Sequence, residues 1–156
     1  MELTFQDMRE GEEEGVSQLV EEVFDSLVAP DLVAEGVVEF KRHITPGVLR
    51  GKVTDESTFI LTAKDDRDMV GVIAVRENRH IFLFFVREGY QGMGIAKELF
   101  SLALQRCRRD NPGLAGITVN SSPYAIAIYE SLGFEPTEPE KVINGVRHTP
   151  MLYKTA

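Results

Sequence analysis

The sequence predicts a mixed α/β domain, with hairpins arranged around one strand–loop–helix–strand–helix core. Three observations predict it. Val16, Leu19, Val20, Val23, Phe24 and Leu27 recur at helical spacing between Glu12 and Val28. From Ser57 the apolar pattern shortens to strand-like segments divided by polar turns. A glycine-bearing loop, Arg87 to Gly94, then joins the most apolar strand of the chain to a long helix.

Taken in order, Leu3 to Arg9 reads as a strand and Glu12 to Val28 as a helix. Pro30-Asp31 ends that helix and starts a second, through about His43, with Leu32, Val33, Val37 and Phe40 on one face. Pro46-Gly47 reads as a further interruption. Thr58 to Ala63 and Met69 to Val75 form a hairpin across the polar turn Lys64 to Asp68. His80 to Val86 follows a second polar turn and is apolar enough to belong at the centre of a sheet. The long helix after the loop carries Ala96, Leu99, Phe100, Ala103 and Cys107 on one stripe and stops at Asn111-Pro112-Gly113. Leu114 to Asn120 is a strand. Ser122 suits an N-cap with Pro123 at the first helical position, and Gly133 suits the C-terminal cap of that helix. Glu138 to Ile143 and Val146 to Tyr153 flank Asn144-Gly145, a strong hairpin signal. No repeat or Pro/Gly-rich linker divides the chain, so residues 1–156 are expected to form a single domain.

Composition narrows the function classes. With 43% hydrophobic and 27% charged residues the balance is globular. No apolar run approaches the roughly 18 residues needed to span a bilayer. The first residues lack the basic and apolar regions of a signal peptide, so a cytoplasmic protein without membrane partners is expected. A single cysteine, Cys107, and three well-separated histidines leave neither a disulfide framework nor zinc-like spacing, so no metal is expected. The net charge of −8 argues against nucleic acid as a partner and fits a cationic acceptor only weakly.

The segment Gln91-Gly92-Met93-Gly94-Ile95-Ala96 lies between the most apolar strand and a helix. A helix start presents free N–H groups and the positive end of the helix dipole, and glycines let the backbone approach an anion closely. Such a loop suits a pyrophosphate, although a tight turn with no ligand accounts for it equally well. A nucleotide P-loop needs a Lys-Ser/Thr pair that is absent here. A dinucleotide fingerprint needs a third glycine where Lys97 stands, and an acid where the next strand ends in Asn120-Ser121.

Gln91-x-x-Gly94-x-Ala96 resembles the Arg/Gln-x-x-Gly-x-Gly/Ala signature of the GNAT superfamily of acyl-CoA N-acyltransferases. Phe84 to Tyr90 resembles that family's central strand and its exit. Val119 to Ala125, followed by Tyr129 to Phe134, resembles its second block. The resemblance covers the chain from about Ser57 onward. It implies a mostly antiparallel sheet of about six to seven strands, flanked by about four helices, with a central strand that splays from its neighbour.

The resemblance also implies roles. Backbone groups of Phe85 and Val86 would pair with the pantetheine arm of acetyl-CoA, like an added strand. Backbone N–H groups of Gln91, Gly92, Met93, Gly94, Ile95, Ala96 and Lys97 would hold its pyrophosphate. Asn120 would lie against the cofactor arm; Ser122 would too, unless it serves only as a cap. Tyr129 is the candidate general acid toward the departing thiolate, although Ile126, Tyr129 and Leu132 also form an apolar stripe. His80 falls where several family members place a carboxylate base, and its unperturbed pKa of about 6.5 suits that task. Glu77, Glu22 and Asp25 are alternatives, the last two because family substrates lie against the first two helices.

These expectations describe an acetyl-CoA-dependent N-acetyltransferase. Its acceptor would be a primary amine, either a small molecule or a peptide, attacking the thioester directly. A backbone N–H near Phe85 or Val86 would hold the tetrahedral intermediate. Cys107, mid-helix on the packed stripe, has no role as a nucleophile. A non-catalytic acyl-CoA-binding or interaction module on the same fold is the alternative. Family members are often dimers, which leaves a homodimer open.

Overall fold

The computed structural model describes residues 1–155. Strand β1 (Leu3–Asp7) leads into α1 (Glu13–Val23), whose Val16, Leu19, Val20 and Val23 are buried against the sheet. The helix widens into a π-helical turn over Phe24–Val28 and ends in a 3-10 turn over Ala29–Asp31. Phe24 and Val28 both remain buried across the widened turn. Next come α2 (Ala34–Arg42) and α3 (Pro46–Lys52). The sequence suggested an interruption at Pro46-Gly47, but Pro46 opens a helix. Thr45 caps it by accepting the Val48 N–H at 3.4 Å. Proline is favoured at this first position because its missing N–H would have no intrahelical partner.

The sheet strands are β2 (Phe59–Asp65), β3 (Asp68–Arg76), β4 (His80–Val86), β5 (Gly116–Ser121), β6 (Glu135–Pro136), β7 (Lys141–Ile143) and β8 (Val146–Lys154), with α4 (Ile95–Asp110) and α5 (Ile126–Leu132) between them. Their order is β1-β2-β3-β4-β5-β8-β6, with β7 paired to β8. Every pair is antiparallel except β4 with β5. The mixed, mostly antiparallel class is as expected. The surplus over the expected elements consists of two short pieces, β6 and α3. The strand expected from Glu138 contracts to Lys141–Ile143, and α5 starts at Ile126 rather than Pro123. Ahead of it, Ser122 to Ala125 makes a turn in which both the Ser122 carbonyl and hydroxyl accept the Ala125 N–H.

Two apolar layers cover the sheet. On one face α4 packs with Ile95, Leu99, Phe100 and Cys107, joined by Tyr129 and Phe134. On the other, α1 and α3 pack with Leu19, Val20 and Leu49 over Ile60, Val72 and Leu83. The β7–β8 turn has Asn144 and Gly145 both at positive φ, 52° and 80°, as a two-residue type I′ hairpin requires. Its tip rests directly on α2. A Cβ on Gly36 would collide with the Gly145 carbonyl, so glycine is needed where the two backbones meet.

A β-bulge in the central strand sets the site. Ala74 pairs with Leu83 but Val75 pairs with Ile81, which leaves Phe82 without a partner. An extra residue reverses the inside–outside alternation of a strand. Thus Ile81 lies in the α4-side core, whereas Leu83 lies in the α1-side core. Beyond the bulge Phe84 and Val86 turn to the α4 side and Phe85 to the α1 side. At the same point β4 leaves β5. The two pair only at His80 with Thr118 and Ile81 with Val119. From Phe82 onward they diverge, and a cleft of about 1310 Å³ opens between them.

Candidate active site

One end of the cleft is formed by the β4–α4 loop and the start of α4. Gly89, Gly92 and Gly94 adopt positive φ of 91°, 80° and 82°, which turns the chain out of β4 and into α4. Gly94 is the N-cap of α4, and the first backbone bond of that turn runs from Glu98 N–H to Gly94 C=O at 3.0 Å. The N–H groups of Ile95, Ala96 and Lys97 therefore have no intrahelical acceptor. A Cβ on Gly92 or Gly94 would meet nothing within 4 Å, so the backbone borders open space. Lys97 also lines the cleft and forms no ion pair among the described residues. Of the loop residues expected to hold a pyrophosphate, only Met93 is absent from the lining; the residue is 51% exposed.

The open edge of β4 is the second element. Arg87 N–H bonds to Val70 C=O, which fixes the phase of the β3–β4 ladder. Hydrogen-bonded pairs alternate along an antiparallel ladder. Phe85 consequently directs its N–H and C=O to Val72, and Phe84 and Val86 direct theirs into the cleft. Of the two residues named from the sequence, Val86 thus has its backbone groups on the cleft side and Phe85 has its groups bonded to β3, a ladder phase not readable from the letters. Gln91 uses its side chain here: Nε2 donates to Val86 C=O at 3.1 Å, and Oε1 accepts from the Tyr124 hydroxyl at 3.1 Å. Gln91 thereby joins the β4–α4 loop to the turn before α5. Asn120 and Ser122 border the opposite wall, at the end of β5.

Tyr129 stands at the boundary between the core and the cleft. Its ring lies in the α4-side core, edge-on to Phe84 at 5.9 Å and Phe134 at 5.3 Å. Its hydroxyl has no hydrogen-bond partner among the described residues, and the residue lines the cleft. Burial pushes the phenol well above its ordinary pKa, so it stays protonated at any working pH.

His80 stands at the start of β4, in the last paired stretch. Its Nδ1 lies 2.7 Å from Thr118 Oγ1. Burial, then the nearby Arg76 and Arg79, pulls the imidazole pKa down to about 4, against a weaker opposing pull from Glu77. Ile81 faces the α4 side, so alternation turns His80 to the other face, together with Phe82. The cleft thus has Tyr129 on one face of the sheet and His80 on the other, with the splayed backbone between them.

Glu22 and Asp25 are not brought to the cleft. Val23 and Phe24 occupy the inward face of their helix, which turns the flanking acids to solvent. Glu22 pairs with Arg87 at 3.1 Å and Asp25 with Lys41 at 2.8 Å. Glu77 pairs with Arg79 at 3.5 Å. The carboxylate that does line the cleft is Glu39 of α2, which was not anticipated; it is bonded to Arg42. Phe24 and Phe40 stack beside it with centroids 4.0 Å apart, and Phe85 meets Phe40 edge-on at 6.1 Å. The helical spacing of Phe24 and Phe40 was legible, but it marked them only as core. Among the described residues no group of three metal-ligating side chains occurs, and no helix is long and apolar enough to cross a membrane.

Residues 28–155 match the family model described as the acetyltransferase (GNAT) domain. The chain belongs to this family of acetyltransferases. Solved structures agree in fold. A PaiA N-acetyltransferase from Thermoplasma acidophilum, in complex with coenzyme A, superposes with a TM-score of 0.82 at 15% identity, covering 99% of each chain. A GCN5-related N-acetyltransferase from Rhodopseudomonas palustris gives 0.80 at 16% identity, over 99% of this chain and 96% of that one. YjaB from Escherichia coli, in its apo form, gives 0.73 at 20% identity over 100% of both.

Proposed function

We propose that the protein is an acetyl-CoA-dependent N-acetyltransferase acting on a primary amine by direct attack. The observation that carries this reading is the divergence of β4 from β5, directly beside a helix start with unpartnered N–H groups. Acetyl-CoA fits such a site. The loop from Gln91 to Lys97 would take the pyrophosphate, and the free edge at Phe84 and Val86 would take the amide-bearing arm. Once bound, the thioester supplies the activated acyl group.

The chain's own residues then handle protons. His80 donates Nδ1–H to Thr118 and keeps the Nε2 lone pair to accept the proton that the amine loses as its C–N bond forms. The Val86 or Phe84 N–H faces the carbonyl oxygen as it gains charge. Tyr129 gives its proton to the sulfur as the C–S bond breaks, and both side chains return to their starting states by exchange with water. Cys107 takes no part: burial pushes its thiol up to about 11 and it lies within the packed face of α4.

Calorimetric titration with acetyl-CoA, followed by thiol release over a panel of primary amines, tests the proposal. Micromolar-range binding and amine-dependent release are expected. Binding without release on any amine would instead favour a non-catalytic acyl-CoA-binding module.

A further inference from the structure

Four side chains converge on the α1/α3 face of the sheet where β4 begins. Arg76 is the register partner of His80 across the β3–β4 ladder, and cross-strand partners share a face. Lys52, at the end of α3, holds its ammonium 5.2 Å from the centroid of the Phe82 ring. Phe82 is the bulged residue and turns to that same face. Lys52, Arg76, His80 and Phe82 all line the cleft, and a side recess of about 330 Å³ extends it under Lys52, Arg76 and Phe82.

Neither cation has a carboxylate partner among the described residues. Of the chain's other cations, Lys41, Lys64, Arg79, Arg87, Arg106, Arg109, Lys141 and Arg147 are among those ion-paired, whereas Lys97, unpaired among the described residues at the β4–α4 loop, also lines the cleft. Acids outnumber bases 25 to 17 in the chain, yet no carboxylate of the described residues neutralises this pair at the cleft. Two carboxylates do border the recess, but both are engaged elsewhere. Asp55 accepts from the Ser57 N–H and hydroxyl at 2.9 and 2.8 Å, and Glu77 pairs with Arg79.

We propose that the acceptor is an amine that carries its own anionic group, a carboxylate or a phosphate, which Lys52 and Arg76 bind beside His80. The inference rests on the N-acetyltransferase reading and names the substrate class for the same site. A guanidinium and an ammonium on one side of the amine form charge-assisted bonds to such an anion. The apolar part of the acceptor lies on Phe82 and Phe85. The arrangement also answers a difficulty at His80. Burial, Arg76 and Arg79 all disfavour its protonated form, and a bound anion offsets the cationic part of that field as the imidazole accepts a proton. Recognition follows this local charge, so the protein's overall acidity does not select the acceptor.

The test measures thiol release from acetyl-CoA with matched acceptors: free amino acids against their amides, and aminoalkyl phosphates against the corresponding amino alcohols. The anionic member of at least one pair is expected to have the higher kcat/KM, by tenfold or more; which series responds separates carboxylate from phosphate. In Arg76→Gln and Lys52→Gln the KM for that acceptor should rise about tenfold, with the KM for its neutral counterpart changed less than twofold. Arg76→Glu should reverse the preference within the pair. Turnover confined to neutral or cationic amines, equal turnover within every pair, or acetyl-CoA binding without acetylation of any anionic acceptor overturns the proposal. Failure to bind acetyl-CoA at all is a different result, and it removes the acetyltransferase reading itself.

Discussion

His80 Nδ1 and Thr118 Oγ1 lie 2.7 Å apart across the short stretch in which β4 and β5 are paired. This contact orients the imidazole at the point where the sheet starts to open. With its pKa down at about 4, His80 is already neutral at physiological pH. The acid limb that it contributes to kcat/KM is therefore expected near pH 4, not between 6 and 7.5 as for an unperturbed imidazole. His80→Gln should lower kcat/KM by roughly 10²- to 10⁴-fold, as for loss of a general base, and remove that limb. A limb that persists unchanged in the variant would assign the base elsewhere.

The same shift links stability to pH. The unfolded chain protonates His80 near 6.5, whereas the folded chain resists protonation until about 4. Between those values the unfolded state binds more protons, so the stabilisation present above pH 6.5 is lost as pH falls toward 4. Melting temperatures taken from pH 7.5 to 4.5 should fall less steeply in His80→Gln than in the parent. Parallel curves would show that His80 is not held neutral by the fold.

Tyr129→Phe should bind acetyl-CoA normally and lose kcat by roughly 10- to 10³-fold. The ring contacts with Phe84 and Phe134 are retained, and the lost hydroxyl has no partner among the described residues, so the melting temperature should stay within a few degrees. A kcat within twofold of the parent, with chemistry rate-limiting, removes Tyr129 from the mechanism. Because the phenol stays protonated far above neutrality, no basic limb below pH 10 should belong to it.

Gly94→Val places a branched side chain at φ 82°, a conformation glycine tolerates and valine does not, at the mouth of the cleft. Acetyl-CoA affinity should weaken at least tenfold, about 1.4 kcal/mol. Calorimetry measures the affinity, and circular dichroism on the same sample confirms that α4 still forms. Unaltered affinity in the folded variant would sink the assignment of this loop to the pyrophosphate.

Gly36→Ala tests the closure of the acceptor side. Its Cβ has no room against the Gly145 carbonyl, so α2 and the β7–β8 tip must separate. Overpacking of this kind costs about 1–3 kcal/mol. The KM for the acceptor should rise while the KM for acetyl-CoA holds, since the hairpin tip meets α2, whose Phe40 packs on the face of the sheet proposed for the acceptor. Steady-state kinetics in both substrates separates the two effects.

Much of this molecule was legible as local chemistry. Gln91, Gly94 and Ala96 mark a helix start that can receive an anion, because left-handed φ and unpaired N–H groups are properties of a few neighbouring residues. Asn144-Gly145 marks its own hairpin for the same reason, whereas Pro46-Gly47 reads as an interruption although Thr45 and Pro46 cap and open a helix there. Glu22 and Asp25 were misplaced because helical periodicity identifies an inward face but not what that face meets. Their neighbours Val23 and Phe24 take the cleft instead.

By itself, then, the sequence determined the order of elements, the glycine turn into α4 and the presence of Tyr129 on a helix after the second strand of the core, since each depends on contacts within a few residues. The tertiary structure alone decided the bulge at Phe82. That one unpaired residue turns Phe84 and Val86 toward the α4 face, leaves His80 on the α1 face and coincides with the point where β4 parts from β5. Tertiary packing also gathers Lys52 of α3 and Arg76 of β3 beside Phe82 and His80, from positions that sequence distance does not relate. Strand register is the sum of many side-chain contacts across the sheet, and no local segment of the chain contains that sum.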